Sequence, residues 1–311
     1  MMFKNLHLYR LHDMSVIEGL SMPAQHDDAM ARDLTGIQSR HIGWINPFGT
    51  DDCRRVLVMG HHRLLSALHQ EKILPSCVVN DDVNERVDTI EAAEGRTLRR
   101  RERLTIKEQV FEELLPRAFI RRKRVDIWID IEHGIIAVNC TTPTMAERVL
   151  DLLRHTLGSL KVTPLSVAVP PTQVMTTWLK SGEIPEGVAL GESATLSAPG
   201  GEDGTMSVKD FDLQGEEVST ALDHGRLVTV LEMGIEGVAS FKLHDDMSIK
   251  RLSFADAIID EAESADDEED AKLRLESDFA IMAQAMAPAI QQLISYMGGE
   301  AQPATTTTEG K

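Results

Sequence analysis

The chain has 311 residues, carries 50 acidic and 32 basic side chains for a formal charge of −18, and is 42% hydrophobic but only 4% aromatic. That length suffices for two or three compact units with a real core and excludes a wholly disordered chain. Cys53, Cys77 and Cys140 are too few and too dispersed for a disulfide framework or a zinc knuckle, which fits a reducing cytoplasm.

In chain order, Phe3 to Leu11 alternates as a first strand, and Lys4, His7, Arg10 and His12 interrupt any signal-peptide hydrophobic stretch. Gly43 to Gly49 reads as a turn-rich crossing. Arg55 to Leu68 reads as a strand followed by helix-like apolar spacing, and Pro75 closes that unit. From Asp81 to Leu115 there is no proline and one glycine, Gly95. Val83, Val87 and Ile90, then Ile106, Val110, Phe111, Leu114 and Leu115, predict two charged helices with narrow apolar stripes, projecting as an arm. Val125 to Ile131 alternates strictly and pairs, across the turn His133-Gly134, with Ile135 to Val138 as a hairpin. Thr144 opens a helix with Met145, Val149, Leu152 and Leu153 on one face, closed at Gly158; strand, hairpin and helix make an α+β layer.

Beyond Pro170-Pro171 the composition shifts. Trp178 sits on a short helix, Ala198 to Thr205 is a Gly-rich loop, and Val228 to Phe254 supplies short strands with turns at Gly237 and Asp245-Asp246. Nine carboxylates fall between Asp256 and Asp270, a final helix pair follows, and residues 303–311 are expected to be disordered. Phe279 to Gly299 carries no formal charge over 21 residues, but Gln284, Gln291, Gln292 and Pro288 interrupt it, so it reads as a core or interface helix and not a membrane span. Its face Met282, Met286, Ile290, Leu293, Ile294 and Met297 is expected to need a partner, with Pro288 breaking or kinking the helix.

Charge is strongly segregated. Arg96 to Arg124 holds eleven basic residues (Arg96, Arg99, Arg100, Arg101, Arg103, Lys107, Arg117, Arg121, Arg122, Lys123, Arg124) against Glu102, Glu108, Glu112 and Glu113, a local charge of +7. Arg99-Arg100-Arg101-x-Arg103 and Arg121 to Arg124 lack acids at helical spacing, so their self-repulsion calls for a polyanion or counterions. Phe119, between Arg117 and Arg121 just after Pro116, offers an apolar side chain at the tip of a basic arm, able to wedge or stack against bases. Alternatively it packs the arm onto the body.

Other constellations compete. Asp126, Asp130 and Glu132 suggest a divalent-metal nuclease site, set against a solvated acidic strand face. His62 and His69 share a face if helical, with His61 beside them, but zinc requires further ligands and no metal site is expected. No GxSxG, P-loop or GxGxxG occurs, and Gly200 to Gly204 includes two acids that oppose a phosphate cradle. The acidic run 256–270 also admits a protein-interaction module engaging a basic partner.

A series of motifs carries a family resemblance. Phe3-Lys4-Asn5-Leu6 with Tyr9-Arg10-Leu11, Gly43-Trp44 with Pro47 and Gly49, Glu71 to Pro75, Leu114-Leu115-Pro116-Arg117-Ala118-Phe119 and Trp128-Ile129-Asp130 resemble the bacterial recombination-associated RdgC family. So do Leu152-Leu153-Arg154 with Leu157 to Leu160, Lys250-Arg251-Leu252 with Phe254, and Gly298 to Gln302, in order along nearly the whole chain. The resemblance implies a non-enzymatic, cofactor-free DNA-binding protein, cytoplasmic and nucleoid-associated. It would act as a ring-shaped homodimer that encircles duplex DNA without sequence preference and restrains RecA by occupying its DNA, double- or single-stranded. It also implies an α+β chain: a central antiparallel sheet domain (1–75 and 125–170), a projecting helical finger (76–124) and a second α+β base domain (171–302). The finger phenylalanine falls on Phe119, and Lys72 joins the expected DNA contacts. At the dimer gate the family carries Lys-Lys-Gln where this chain has Lys209-Asp210-Phe211, so the bonds made by the second Lys and the Gln are not carried over.

Overall fold

Alternating burial builds the strands of this protein and four-residue spacing builds its helices. A computed structural model describes residues 2–18, 20, 29–49, 55–198, 204–264 and 271–301. The strands are β1 (Asn5–Leu11), β2 (Arg40–Ile45), β3 (Leu57–Met59), β4 (His62–Ile73), β5 (Phe119–Asp130), β6 (Ile135–Asn139), β7 (Val162–Pro164), β8 (Val188–Ser197), β9 (Thr205–Val208), β10 (Leu227–Ile235), β11 (Ala239–His244) and β12 (Ile249–Phe254). The helices are α1 (Ser15–Glu18), α2 (Ser76–Glu94), α3 (Arg100–Leu114), α4 (Pro143–Leu157), α5 (Pro171–Ser181), α6 (Glu216–Asp223), α7 (Asp256–Ser264) and α8 (Ala271–Tyr296). The expected α+β class, with a large antiparallel sheet, is what the chain forms.

The chain divides into two compact units, one drawn from residues 1–22, 46–65 and 126–311, the other from 23–45 and 66–125. In the first, the strand order is β5-β6-β1-β12-β11-β10-β8-β9, with β7 added to β1. The predicted hairpin is β5 and β6, paired Ile127↔Val138 through Asp130↔Ile135. One face of this sheet packs on α5, α6 and α8 in a core that includes Phe3, Trp178, Leu231, Phe241, Phe279 and Met286.

Helix α8 departs from expectation in two ways. It runs unbroken through Pro288 to Tyr296, although proline removes a helical N–H and crowds the preceding turn. Its face of Met282, Met286, Ile290, Leu293, Ile294 and Met297 is buried in the unit's own core. That face therefore has its partner within the chain, and truncating Met282 or Leu293 to Ala should cost about 2–5 kcal/mol. None of the helices among the described residues is long and apolar enough to cross a membrane.

The second unit has the strand order β2-β4-β5 and carries α2 and α3. The segment expected to turn helical after Arg55 is instead β3 and β4, with a turn at Gly60 between them. Leu64, Leu65 and Ala67 are buried because their strand is covered on both faces, and such a run is indistinguishable by spacing from a buried helix. Gly43 is dictated by close approach, since a Cβ there would stand 2.5 Å from the Ala31 backbone nitrogen. Bare backbone lets Ala31 N–H donate to the Trp44 carbonyl at 2.8 Å. Cys53, most of the Gly-rich loop (199–203), the last part of the acidic run (265–270) and the tail from 302 lie outside the described residues.

Candidate nucleic-acid interface

The cationic segment forms a helical hairpin followed by a strand. Valines every fourth residue, Val79, Val83 and Val87, give α2 a single narrow apolar stripe, which meets Leu98, Ile106 and Val110. The other faces are mostly polar, with Val78, Leu104 and Phe111 exposed among them. Gly95 ends α2 in the left-handed conformation (φ 66°) and donates its N–H to the Glu91 carbonyl at 2.9 Å. At the start of α3 the Glu102 carboxylate accepts the Arg99 N–H at 2.8 Å, satisfying a helix-terminal donor.

Acids contributed by neighbouring elements neutralise part of the stripe. Arg96 donates to both oxygens of Glu102, at 3.0 and 2.7 Å. Glu91 takes the Leu98 N–H at 2.7 Å and Arg103 at 2.8 Å, and Lys107 donates to Asn80 at 3.1 Å. Hydrogen bonds from the Arg96 guanidinium, and then from the Arg99 N–H, hold the Glu102 carboxyl down to about 2. The Leu98 N–H and then Arg103 lower Glu91. On β5, Arg121 pairs with Glu71 at 2.6 Å, Arg122 lies 3.4 Å from both Gln70 and Asp33, and Arg124 donates to Ser66 at 2.9 Å. The expectation of unbalanced arginines is corrected accordingly. Glu71 and Asp33 lie 50 and 89 residues from their partners, a separation that helical spacing does not reveal.

What remains is a smaller, sharper set. Arg100, Arg101, Arg117 and Lys123 are exposed and have no acidic partner among the described residues. Arg96, Arg99 and Arg101 line a shallow groove of about 690 Å³ at the hairpin turn, with Thr97, Thr105 and the Glu102 carboxylate. Phe119 is 86% exposed at the first position of β5, where alternation places it on one face with Arg121 and Lys123. It therefore packs against no body, and it is not at the α2–α3 turn. The length of α3, about 22 Å for its fifteen residues, separates the two. Arg121 to Arg124 likewise belong to a strand and not to the helical finger. Lys72 is corrected as a contact: it is buried, and its ammonium donates to the Thr35 and Gly36 carbonyls at 3.1 and 2.8 Å.

The competing sites do not assemble. Asp126, Trp128 and Asp130 alternate onto one face of β5 and are buried, whereas Glu132 is exposed in the turn. Asp130 accepts from His133 N–H at 3.3 Å and lies 2.7 Å from His133 Nδ1. His62 receives the Trp128 indole N–H at 3.3 Å, and burial lowers its pKa. His62 and His69, seven apart on the strand β4, fall on opposite faces, not one. Among the described residues no group of three or more His, Cys, Asp or Glu is placed to hold a metal ion. At the expected gate, Asp210 adopts a left-handed φ of 52° just after β9, and Phe211 N–H donates to the Glu192 carbonyl at 3.1 Å.

These features define an acidic α+β protein with its cations concentrated on a helical hairpin and the strand that follows it. Residues 1–300 match the family model described as "Putative exonuclease, RdgC". Recombination-associated protein RdgC of Salmonella paratyphi B, of Salmonella schwarzengrund and of Salmonella typhimurium are each 34% identical over 300 residues, covering 96% of this chain and 99% of theirs. The chain belongs to the RdgC family of recombination-associated proteins.

Proposed function

We propose that this protein binds DNA without sequence preference, encircles duplex as a homodimeric ring, and restrains RecA-mediated recombination by competing for DNA. The observation that carries the reading is the set of exposed cations Arg100, Arg101, Arg117 and Lys123, without acidic partners among the described residues, together with the bare Phe119 near Arg117 and Lys123, in a chain of charge −18. Segregated charge of this kind holds phosphates locally while the acidic remainder discourages contact elsewhere. Nothing in the set resembles a module that reads base edges, so affinity would come from phosphate neutralisation, supplemented by an aromatic face. Restraint of recombination then needs no chemistry, because a DNA-bound protein lowers the DNA open to filament nucleation by mass action.

The test has linked arms. Duplexes of unrelated sequence should bind equally, with log affinity falling linearly against log salt; a flat plot would remove phosphate contacts as the main term. Linear DNA should release the protein more readily than circular DNA, as expected of a ring that slides off ends. Light scattering should give twice the chain mass of 34.4 kDa. RecA activity on a fixed amount of DNA should fall as this protein is added and return with excess DNA. Plasmid incubated with Mg²⁺ should stay intact; nicking would support the nuclease suggested by the family model's name.

A further inference from the structure

The sheet of the first unit has a second face, opposite its core, and it carries a cluster of cations. On β11, Phe241 and Leu243 are buried while Lys242 and His244 turn outward. Cross-strand pairing sets Lys250 beside both Asn5 and Lys242, and Thr195 beside Ser207. Together these strands line a cavity of about 340 Å³ whose cations are Lys209, Lys242, Lys250 and Arg251. Its open hydroxyls are Thr195 and Ser207, while Ser193 donates to Glu232 and accepts from Lys242; no carboxylate is among its lining residues. Lys242 lies 3.5 Å from Glu232, outside that lining, whereas Lys209, Lys250 and Arg251 make no ion pair among the described residues.

A β-bulge brings the last two cations together. Ser240 pairs with Ser253 and Lys242 with Lys250, so Arg251 and Leu252 together oppose the single residue Phe241. Regular alternation would send Arg251 to the core face. Instead Ile249, Leu252 and Phe254 are buried, and Arg251 is the extra residue, exposed with φ 55°. Its N–H donates to Asn5 Oδ1 at 3.3 Å. Left-handed backbone is unfavourable for arginine and ordinary for glycine, so a guanidinium held there points to a use for its charge. His244, on the cavity wall, is held below its ordinary range by burial and then by Lys250, leaving it a neutral hydrogen-bonding group near pH 7.

We propose that this cavity binds a phosphate group, supplied by the nucleic-acid backbone; the source, though not the site, rests on the DNA-binding reading above. Converging ammonium, guanidinium and hydroxyl donors match the several acceptor oxygens of a phosphate.

The site is tested with Lys250→Gln combined with Arg251→Gly, in which glycine takes the left-handed backbone without strain. Duplex DNA and inorganic pyrophosphate are the two probes, and melting temperature reports folding. The double variant should bind duplex about tenfold more weakly near 0.15 M salt, with a slope shallower by up to about 1.8, and should lose pyrophosphate binding. Loss of pyrophosphate binding with duplex affinity unchanged supports the site and assigns it to free phosphate compounds. If wild type ignores duplex but binds pyrophosphate through these two residues, the DNA reading fails and the site stands. A folded variant that binds both probes like wild type overturns the proposal. Should the double variant melt early, Lys250→Gln alone carries the same test with about half the slope change.

Discussion

Phe119, 86% exposed, contributes no packing that its truncation would remove. Phe119→Ala should therefore shift stability by less than about 0.5 kcal/mol, as surface substitutions generally do. In the proposed function it should weaken DNA binding by about 1–3 kcal/mol, with the salt slope unchanged because no charge is lost. Calorimetry together with a salt titration checks both halves; a variant that melts early, or one that binds as wild type does, removes Phe119 from the interface. The apolar residue among arginines was legible in the sequence. Its placement was not, since the end of α3 and the start of β5 are separated only by the short turn Leu115–Arg117. Lys72 teaches the converse. Its two carbonyl partners belong to Thr35 and Gly36, more than thirty residues away, and backbone acceptors leave no compositional trace.

At the scale of the element, the α2–α3 hairpin divides its cations between construction and display. Arg96 and Arg103 hold the turn through Glu102 and Glu91, while Arg100 and Arg101 are exposed without acidic partners among the described residues. Arg100→Ala with Arg101→Ala should make the salt slope shallower by up to about 1.8 and leave helicity intact, since both changes favour helix. Arg103→Ala should instead increase amide exchange around Leu98, because Glu91 accepts from both. Salt-dependent anisotropy and hydrogen exchange separate these outcomes. If Arg103→Ala reduced the slope as much as the pair does, the division between structural and displayed cations would fail. The two helices and the Gly95 junction were legible from stripe spacing and a lone glycine. The ion pairs were not, because an exposed arginine facing a carboxylate across a turn has the same sequence signature as one facing solvent.

For the whole molecule, three histidines of the first unit link stability to pH. His7, His62 and His244 are each held below the ordinary value of 6.5, with burial the largest cause. Depressed histidines bind protons more readily in the unfolded chain, so stability is full above about pH 6.5 and falls on acidification toward their folded values. The melting temperature should therefore drop between pH 7 and 5, and His244→Gln should flatten that dependence. A melting temperature constant over this range would show that burial does not penalise these charges. Dimerisation, as proposed, draws no support from α8, whose apolar face lies in the core of its own unit.

The sequence alone determined the α+β class, the β5–β6 hairpin, the paired charged helices and the segregation of charge. Each of these is written in local periodicity, in turn residues or in composition, which act over a few neighbouring positions. The tertiary structure alone decided which cations are neutralised, that β4 is a strand, that α8 satisfies its own apolar face, and that a bulge turns Lys250 and Arg251 into one cavity. All four depend on contacts between segments distant in sequence, where geometry and not spacing selects the partner.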